Sequence, residues 1–219
     1  MEKLSNLIII ISAALPVVLT ALYAGLIYRR LPDELKVLSW FIFLSAIVQV
    51  TSNILWLQSK NNLWLLHVYV ATGFIILAWF YDSVFKGFIN RLVIRIVTIL
   101  FVLFTLINAV FIQGFLTYAA VSLTVESVLI IILSLSLFIL LLNDIVRESK
   151  GARLVKSLNW INSGLFLYYT SGLLIFYFGE FLTRSLNKNF TVSAWLLHFF
   201  FLTVMHVCFF IGLWNRPTA

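Results

Sequence analysis

The sequence predicts an all-α integral membrane protein: a bundle of seven helices with its N-terminus outside and its C-terminus in the cytoplasm. Three observations carry this. Hydrophobic residues make up 63% of the 219 positions and charged residues 11%, whereas soluble domains are about half apolar and about a quarter charged. A chain this apolar cannot hide its surface in one soluble core, so lipid must solvate most of it. The apolar residues also fall into seven runs, each of about the 20 residues a spanning helix needs. Finally, basic residues crowd into alternate gaps between those runs.

The expected spans are 7–28, 35–57, 62–85, 91–112, 119–142, 158–179 and 192–213. They are far longer than barrel strands and lack strict alternation, which excludes a barrel. Inside hydrocarbon every backbone N–H and C=O must be satisfied within the segment, so the runs are helices. The gaps and end after spans 1, 3, 5 and 7 hold Arg29, Arg30, Lys36, Lys86, Arg91, Arg95, Arg147, Lys150, Arg153, Lys156 and Arg216. The opposite side holds only Lys3, Lys60, Arg184 and Lys188. The excess of positive charge sets the orientation. It also explains the formal net charge of +7 without a nucleic-acid partner, because the cations are scattered as topology signals.

Span 1 resembles a signal peptide in one respect, the small residues Ser12-Ala13-Ala14. Its apolar core is too long for one and Arg29-Arg30 follows as a stop, so it reads as a retained helix kinked at Pro16. Span 2 carries Ser45, Gln49, Ser52 and Asn53 at i, i+4, i+7, i+8, a polar stripe on one face. Span 3 carries His67 near its outer end and Asp82 near its inner end, where solvation or pairing with Lys86 at i+4 is expected. The gap between spans 4 and 5 has no charge and reads as a tight hairpin. Span 5 carries Glu126. The basic segment 143–157 is expected to extend helix 5 into the cytoplasm, next to anionic lipid or a cytoplasmic partner. On span 6, Asn159, Asn162, Tyr169 and Glu180 fall within about 80° of one another. Gly164, Ser171, Gly172 and Gly179 form a small-residue line on the same span that favours close helix approach. Span 7 carries His198 and His206. The single cysteine, Cys208, excludes an intrachain disulfide.

The tetrapeptide Trp-Leu-Leu-His occurs twice, at Trp64–His67 and Trp195–His198. Lys36-Val37-Leu38-Ser39-Trp40 aligns with Lys156-Ser157-Leu158-Asn159-Trp160, and Thr51-Ser52 with Thr170-Ser171. Order and orientation agree, which suggests a parallel repeat of three helices joined by helix 4. In this 3+1+3 topology the chain resembles the microbial rhodopsins and the PQ-loop/SWEET sugar transporters, and more loosely the small stand-alone seven-helix proteins of bacterial genomes. The defining motifs are missing. Span 192–213 has no lysine for a retinal Schiff base. Neither Pro16, Pro32 nor Pro217 is followed by Gln, and no Asn-Pro-x-x-Tyr receptor signature occurs. The resemblance implies a bacterial inner-membrane location but no particular cofactor.

At 1.5 Å per residue, His67, Glu126 and His198 lie within roughly 7–11 Å of the same membrane boundary. An acidic residue in a span costs about 3 kcal/mol on insertion scales and usually faces the bundle interior at a functional site. A Glu–His pair can exchange a proton near neutral pH. The expectation is an outer-half polar cavity lined by His67, Glu126, His198, Gln49, Asn53 and Tyr169, binding a small molecule or ion and serving a proton-coupled transporter. The structural alternatives are a helix-to-helix hydrogen bond for Glu126 and a loop carbonyl for each histidine beside its interfacial tryptophan. Two other functions fit the same residues. One is a sensor signalling through a separate partner at 143–157. The other is a membrane-embedded hydrolase with zinc on His67, Glu126 and His198; no His-Glu-x-x-His spacing supports it, and Ser122, one turn from Glu126, is one of many serines that these helices use for packing. Enzyme activity is the weaker expectation.

Overall fold

The computed structural model describes residues 2–185 and 188–217, and the side chains of 14–143, 145, 148–178 and 193–217. Among these residues there are helices and turns but no strand. The helices are α1 (Glu2–Ile27), α2 (Asp33–Leu57), α3 (Leu63–Val84), α4 (Arg91–Ile107), α5 (Ala120–Leu141), α6 (Asp144–Lys150), α7 (Ala152–Ser185) and α8 (Lys188–Trp214). A 3-10 turn, Tyr28–Arg30, follows α1, and a wider π-turn, Asn108–Ile112, extends α4.

Among the described residues, six stretches are long and apolar enough to cross a membrane: Asp33–Leu57, Leu63–Val84, Arg91–Ile112, Ala120–Leu141, Ala152–Phe178 and Ser193–Trp214. They follow the expected spans 2 to 7 closely, except that the fifth of them begins at Ala152 where expected span 6 begins at 158. Expected span 1 falls on α1, whose side chains through residue 13 lie outside the described residues. Lys3, Arg147, Arg184, Lys188, Gly179 and Glu180 also fall outside the described side chains.

Local chemistry fixes the helix ends. Asp33 and Glu34 occupy the first turn of α2, where negative charge complements the helix dipole. The Asn90 side chain accepts from the Leu92 N–H at 3.0 Å and caps α4. Residues 143–157 do not continue α5. That helix ends at Leu141, and the Asn143 side chain accepts from the Ile145 N–H at 3.0 Å to start the separate α6. Gly151, at φ 77°, then turns the chain into α7, a conformation that glycine adopts without Cβ strain.

The helices close into a bundle. α7 packs most extensively, against α8 and α5; α1 packs on both α2 and α8, and α2 on α3. α4 is peripheral, held mainly by α3. The core contains Phe41, Phe74, Tyr81, Ile130, Leu165 and Phe209, all nearly or fully buried, while Leu26, Phe111, Ile139 and Leu174 stay exposed as a lipid-facing surface would require.

Small residues set the α7–α8 spacing. A Cβ added at Gly164 would meet the Cys208 Cβ at 2.8 Å and the Met205 carbonyl at 3.0 Å. One added at Gly212 would meet Ile161 at 2.6 Å, and the Ser157 hydroxyl donates to the Gly212 carbonyl at 2.7 Å. The expected small-residue line is thus met by α8 at Gly164. Ser171 is half-buried, its hydroxyl donating to the Leu167 carbonyl of its own helix at 2.6 Å, and the space at Gly172 is filled by Phe176 of the same helix. In α1, Thr20 donates to the Pro16 carbonyl at 2.7 Å and approaches the His206 carbonyl at 3.3 Å, tying the proline segment to α8.

Candidate functional site

Glu126 lies in the N-terminal half of α5, 1% exposed. Its Oε1 accepts from the Tyr169 hydroxyl of α7 at 3.3 Å. Across from it is Gly73 of α3, where an added Cβ would stand 3.9 Å from Glu126 Oε1 and 3.5 Å from Phe41. Glycine therefore lets the carboxyl lie close against the α3 backbone. Tyr69 and Tyr168 are near enough to Glu126 to interact with it electrostatically. The Tyr69 hydroxyl is 3.0 Å from the Ser45 hydroxyl of α2, and the Tyr168 and Tyr169 rings are 5.1 Å apart. One carboxyl of α5 is therefore held by a tyrosine of α7, with further tyrosines of α3 and α7 nearby. A buried polar group in an apolar interior must find a partner, and here the partner is the Tyr169 hydroxyl.

The two histidines are placed differently. His67 Nε2 is 3.0 Å from the Thr117 carbonyl, and its ring stacks on Phe115 with centroids 5.5 Å apart. Both partners belong to the connection between α4 and α5. His198 sits among aromatic rings: Phe176 at 5.3 Å, Tyr168 at 5.4 Å and its own helix's Trp195 at 5.8 Å. Its Nδ1 is buried without a hydrogen-bond partner among the described residues. Glu126 bonds to Tyr169 rather than to a histidine, so the expected direct Glu–His pair is not formed among the described residues. Nor do His67, Glu126 and His198 form a zinc-type triad: among the described residues no three His, Cys, Asp or Glu side chains gather closely enough to hold a metal. Their side chains turn toward different neighbours.

The other expected residues divide likewise. Gln49 donates to Asn53 at 3.2 Å within α2, both half-buried. Asn162 is fully buried, but Asn159 is exposed and leaves the inward stripe. Ser122 accepts from the Asn108 side chain at 2.9 Å and so belongs to the π-turn rather than to Glu126. His206 is buried against Phe209, its ring nitrogens without hydrogen-bond partners among the described residues. Asp82 pairs not with Lys86 but with Arg91, whose Nε donates to Oδ1 at 2.8 Å and whose Nη2 donates to Oδ2, and with Arg95 at 3.9 Å. The turn 85–90 brings α4 back beside α3, closer than the helical i+4 position.

Sequence reasoning missed the tyrosines. Besides Tyr69 and Tyr168, Tyr81 joins three helices: its hydroxyl is 2.7 Å from Ser134 of α5 and donates to Asn162 of α7 at 3.0 Å, while Asn162 donates to the Ser134 carbonyl at 2.9 Å. The available signal was a phenol far from both span ends, whose hydroxyl needs a partner.

Residues 113–119 cover the end of the bundle at which α3, α5 and α8 begin their apolar stretches. Thr117 and Phe115 engage His67, Tyr118 meets Trp195 edge-to-face at 6.0 Å, and the Asn61 side chain donates to the Leu116 carbonyl at 3.1 Å. Both Trp-Leu-Leu-His copies thus meet the same short connection. Burial pushes the Tyr118 phenol above its ordinary range.

Stacked apolar helices around a buried polar interior define a multi-pass helical membrane protein. No family model, curated protein or solved structure matches the chain.

Proposed function

We propose that this protein binds a small cation, or a small molecule carrying one, at Glu126, and moves it across a bacterial inner membrane in exchange with a proton. In this reading α1 is a seventh crossing, the N-terminus is outside and the C-terminus cytoplasmic, and the halves joined by α4 are parallel repeats. The carrying observation is the Glu126–Tyr169 contact: an ionisable side chain wholly inside an apolar bundle, hydrogen-bonded to Tyr169 with Tyr69 and Tyr168 nearby. Such residues are expensive in a membrane and mark substrate or proton pathways. A carboxylate among aromatic faces suits a cation, by charge and by ring quadrupole. Gln49, Asn53, His67 and His198 border the route between this centre and the outer side. In this reading the connection 113–119 covers that route.

Transport is favoured over sensing by the setting of α6. Lys150 pairs with Glu34 of α2 at 3.4 Å, with side chains 10% and 20% exposed, so the end of this helix is tied to the bundle. The test uses purified protein with tetramethylammonium as the probe cation. Wild type should be stabilised against heating by the probe and, in proteoliposomes with a trapped pH dye, should move protons when the probe is added. Glu126→Gln keeps an acceptor for Tyr169 and should fold yet lose both responses. Equal responses in the variant, or no response of wild type to any of a series of alkylammonium ions, overturn the reading.

A further inference from the structure

A second feature lies at the opposite end of the bundle from the 113–119 connection. Between α3 and α4 runs a groove walled by Ile75, Trp79, Thr98 and Ile99 and floored by Ala78 and Ile94. Its volume is about 440 Å³. It follows α4 for about 12 Å, from Arg91 to Ile99 at 1.5 Å per residue. The far part is apolar and open to the lipid side: Trp79 is 53% and Ile99 60% exposed. The near end carries Asp82, Arg91 and Arg95.

The charges at that end do not cancel. Asp82, only 8% exposed, accepts two hydrogen bonds from Arg91, so its charge is turned inward. Arg95 stands 3.9 Å from the same carboxylate, at the limit of ion pairing, with 61% of its side chain exposed. A guanidinium has five N–H donors, so Arg95 keeps most of its donors, and Arg91 keeps those not turned to Asp82. Both residues lie in the first turns of α4, where the helix dipole adds positive potential. The groove thus asks for an occupant that is anionic at one end, apolar at the other, and lies along a helix pair in the bilayer.

We propose that this groove is a binding site for an anionic phospholipid, its headgroup phosphate on Arg95 and Arg91 and one acyl chain along Trp79, Ile75 and Ile99. Asp82 holds Arg91 in place and is a positioning residue. The site is independent of Glu126 and does not depend on which side of the membrane the α3–α4 turn faces.

The test is native mass spectrometry of the full-length protein released from mixed micelles containing equal phosphatidylglycerol and phosphatidylcholine. Wild type is expected to retain phosphatidylglycerol preferentially. Arg95→Gln should reduce that retention about fivefold, the value of one basic side chain at a lipid surface. Arg29→Gln removes an exposed cation from the α1–α2 linker and should leave retention unchanged. Unaltered thermal midpoints in uncharged detergent show that both variants fold. Equal retention of the two lipids, equal effects of the two substitutions, or displacement by excess inorganic phosphate alone overturns the proposal. So does efficient disulfide capture of a second copy through Ile99→Cys without lipid preference, which assigns the face to self-association.

Discussion

With a single phenol oxygen Tyr81 ties α3 to α5 and α7. Removing it in Tyr81→Phe leaves Asn162 and Ser134 with one partner fewer in a dry interior. Side-chain hydrogen bonds inside membrane bundles average about 0.6 and reach about 1.7 kcal/mol, so a loss of about 1 kcal/mol is expected in unfolding from mixed micelles with rising denaturing detergent. Tyr169→Phe should cost no more in stability but should weaken probe binding at Glu126, a separation that thermal midpoints with and without tetramethylammonium measure. At this scale the sequence was partly legible. Glu126 and Tyr169 stand out because a charged or hydrogen-bonding group in a span is costly, and they do meet. The histidines were expected beside Glu126 but turn to other neighbours. Rise per residue fixes height, whereas the rotation of each helix against its neighbours is decided by packing that one sequence does not display. Tyr69 and Tyr81 were hidden because a mid-span tyrosine reads much like phenylalanine in an apolar pattern.

The helices themselves were the most legible features, since bilayer thickness dictates their length. The spans 35–57 and 91–112 match helical segments almost residue for residue. What escaped was the punctuation: Asn143 and Gly151 separate α6 from both neighbours, and Asp82 finds Arg91 across a turn instead of Lys86 along its own helix. These depend on turn geometry, which apolar periodicity does not encode. Two glycines give tests. Gly114 has φ 73° in the 113–119 connection; Gly114→Val forces a β-branched residue into the left-handed region and should cost about 1–2 kcal/mol, seen as a lower thermal midpoint and faster protease cleavage in that connection. Gly212→Leu drives a side chain into Ile161 and the Ser157 carbonyl. Overpacking of this kind costs about 1–3 kcal/mol, and here it should also weaken the Ser157–Gly212 hydrogen bond, whereas Gly87→Ala, with nothing within 4 Å, should report only the backbone cost of its positive φ.

Over the whole molecule, composition and charge distribution announced a helical membrane protein, because the bilayer excludes other solutions. The mutual arrangement of the helices was not announced, because lipid and helix surfaces are equally apolar and only small residues and hydrogen bonds choose partners. The proposed orientation has a direct readout. A fluorescent protein fused after residue 217 should mature and glow, one that needs the cytoplasm, while the same fusion at the N-terminus should stay dark. The reverse pattern would invert the bundle and the proposed direction of access to Glu126.

The two interruptions flanking α6 carry a consequence for assembly. α5 and α7 share one of the largest interfaces in the protein, and α1 also reaches α8; the peptide linking α5 to α7 adds little to either. Severing the chain beside Gly151 should therefore yield two polypeptides, 1–150 and 151–219, that find each other when co-expressed and purify as a pair on a tag carried by one. Tyr81 and Asn162, contributed by opposite fragments, would then act as the recognition latch, and weakening it with Tyr81→Phe should lower the recovered yield more than the same change lowers the stability of the uncut protein.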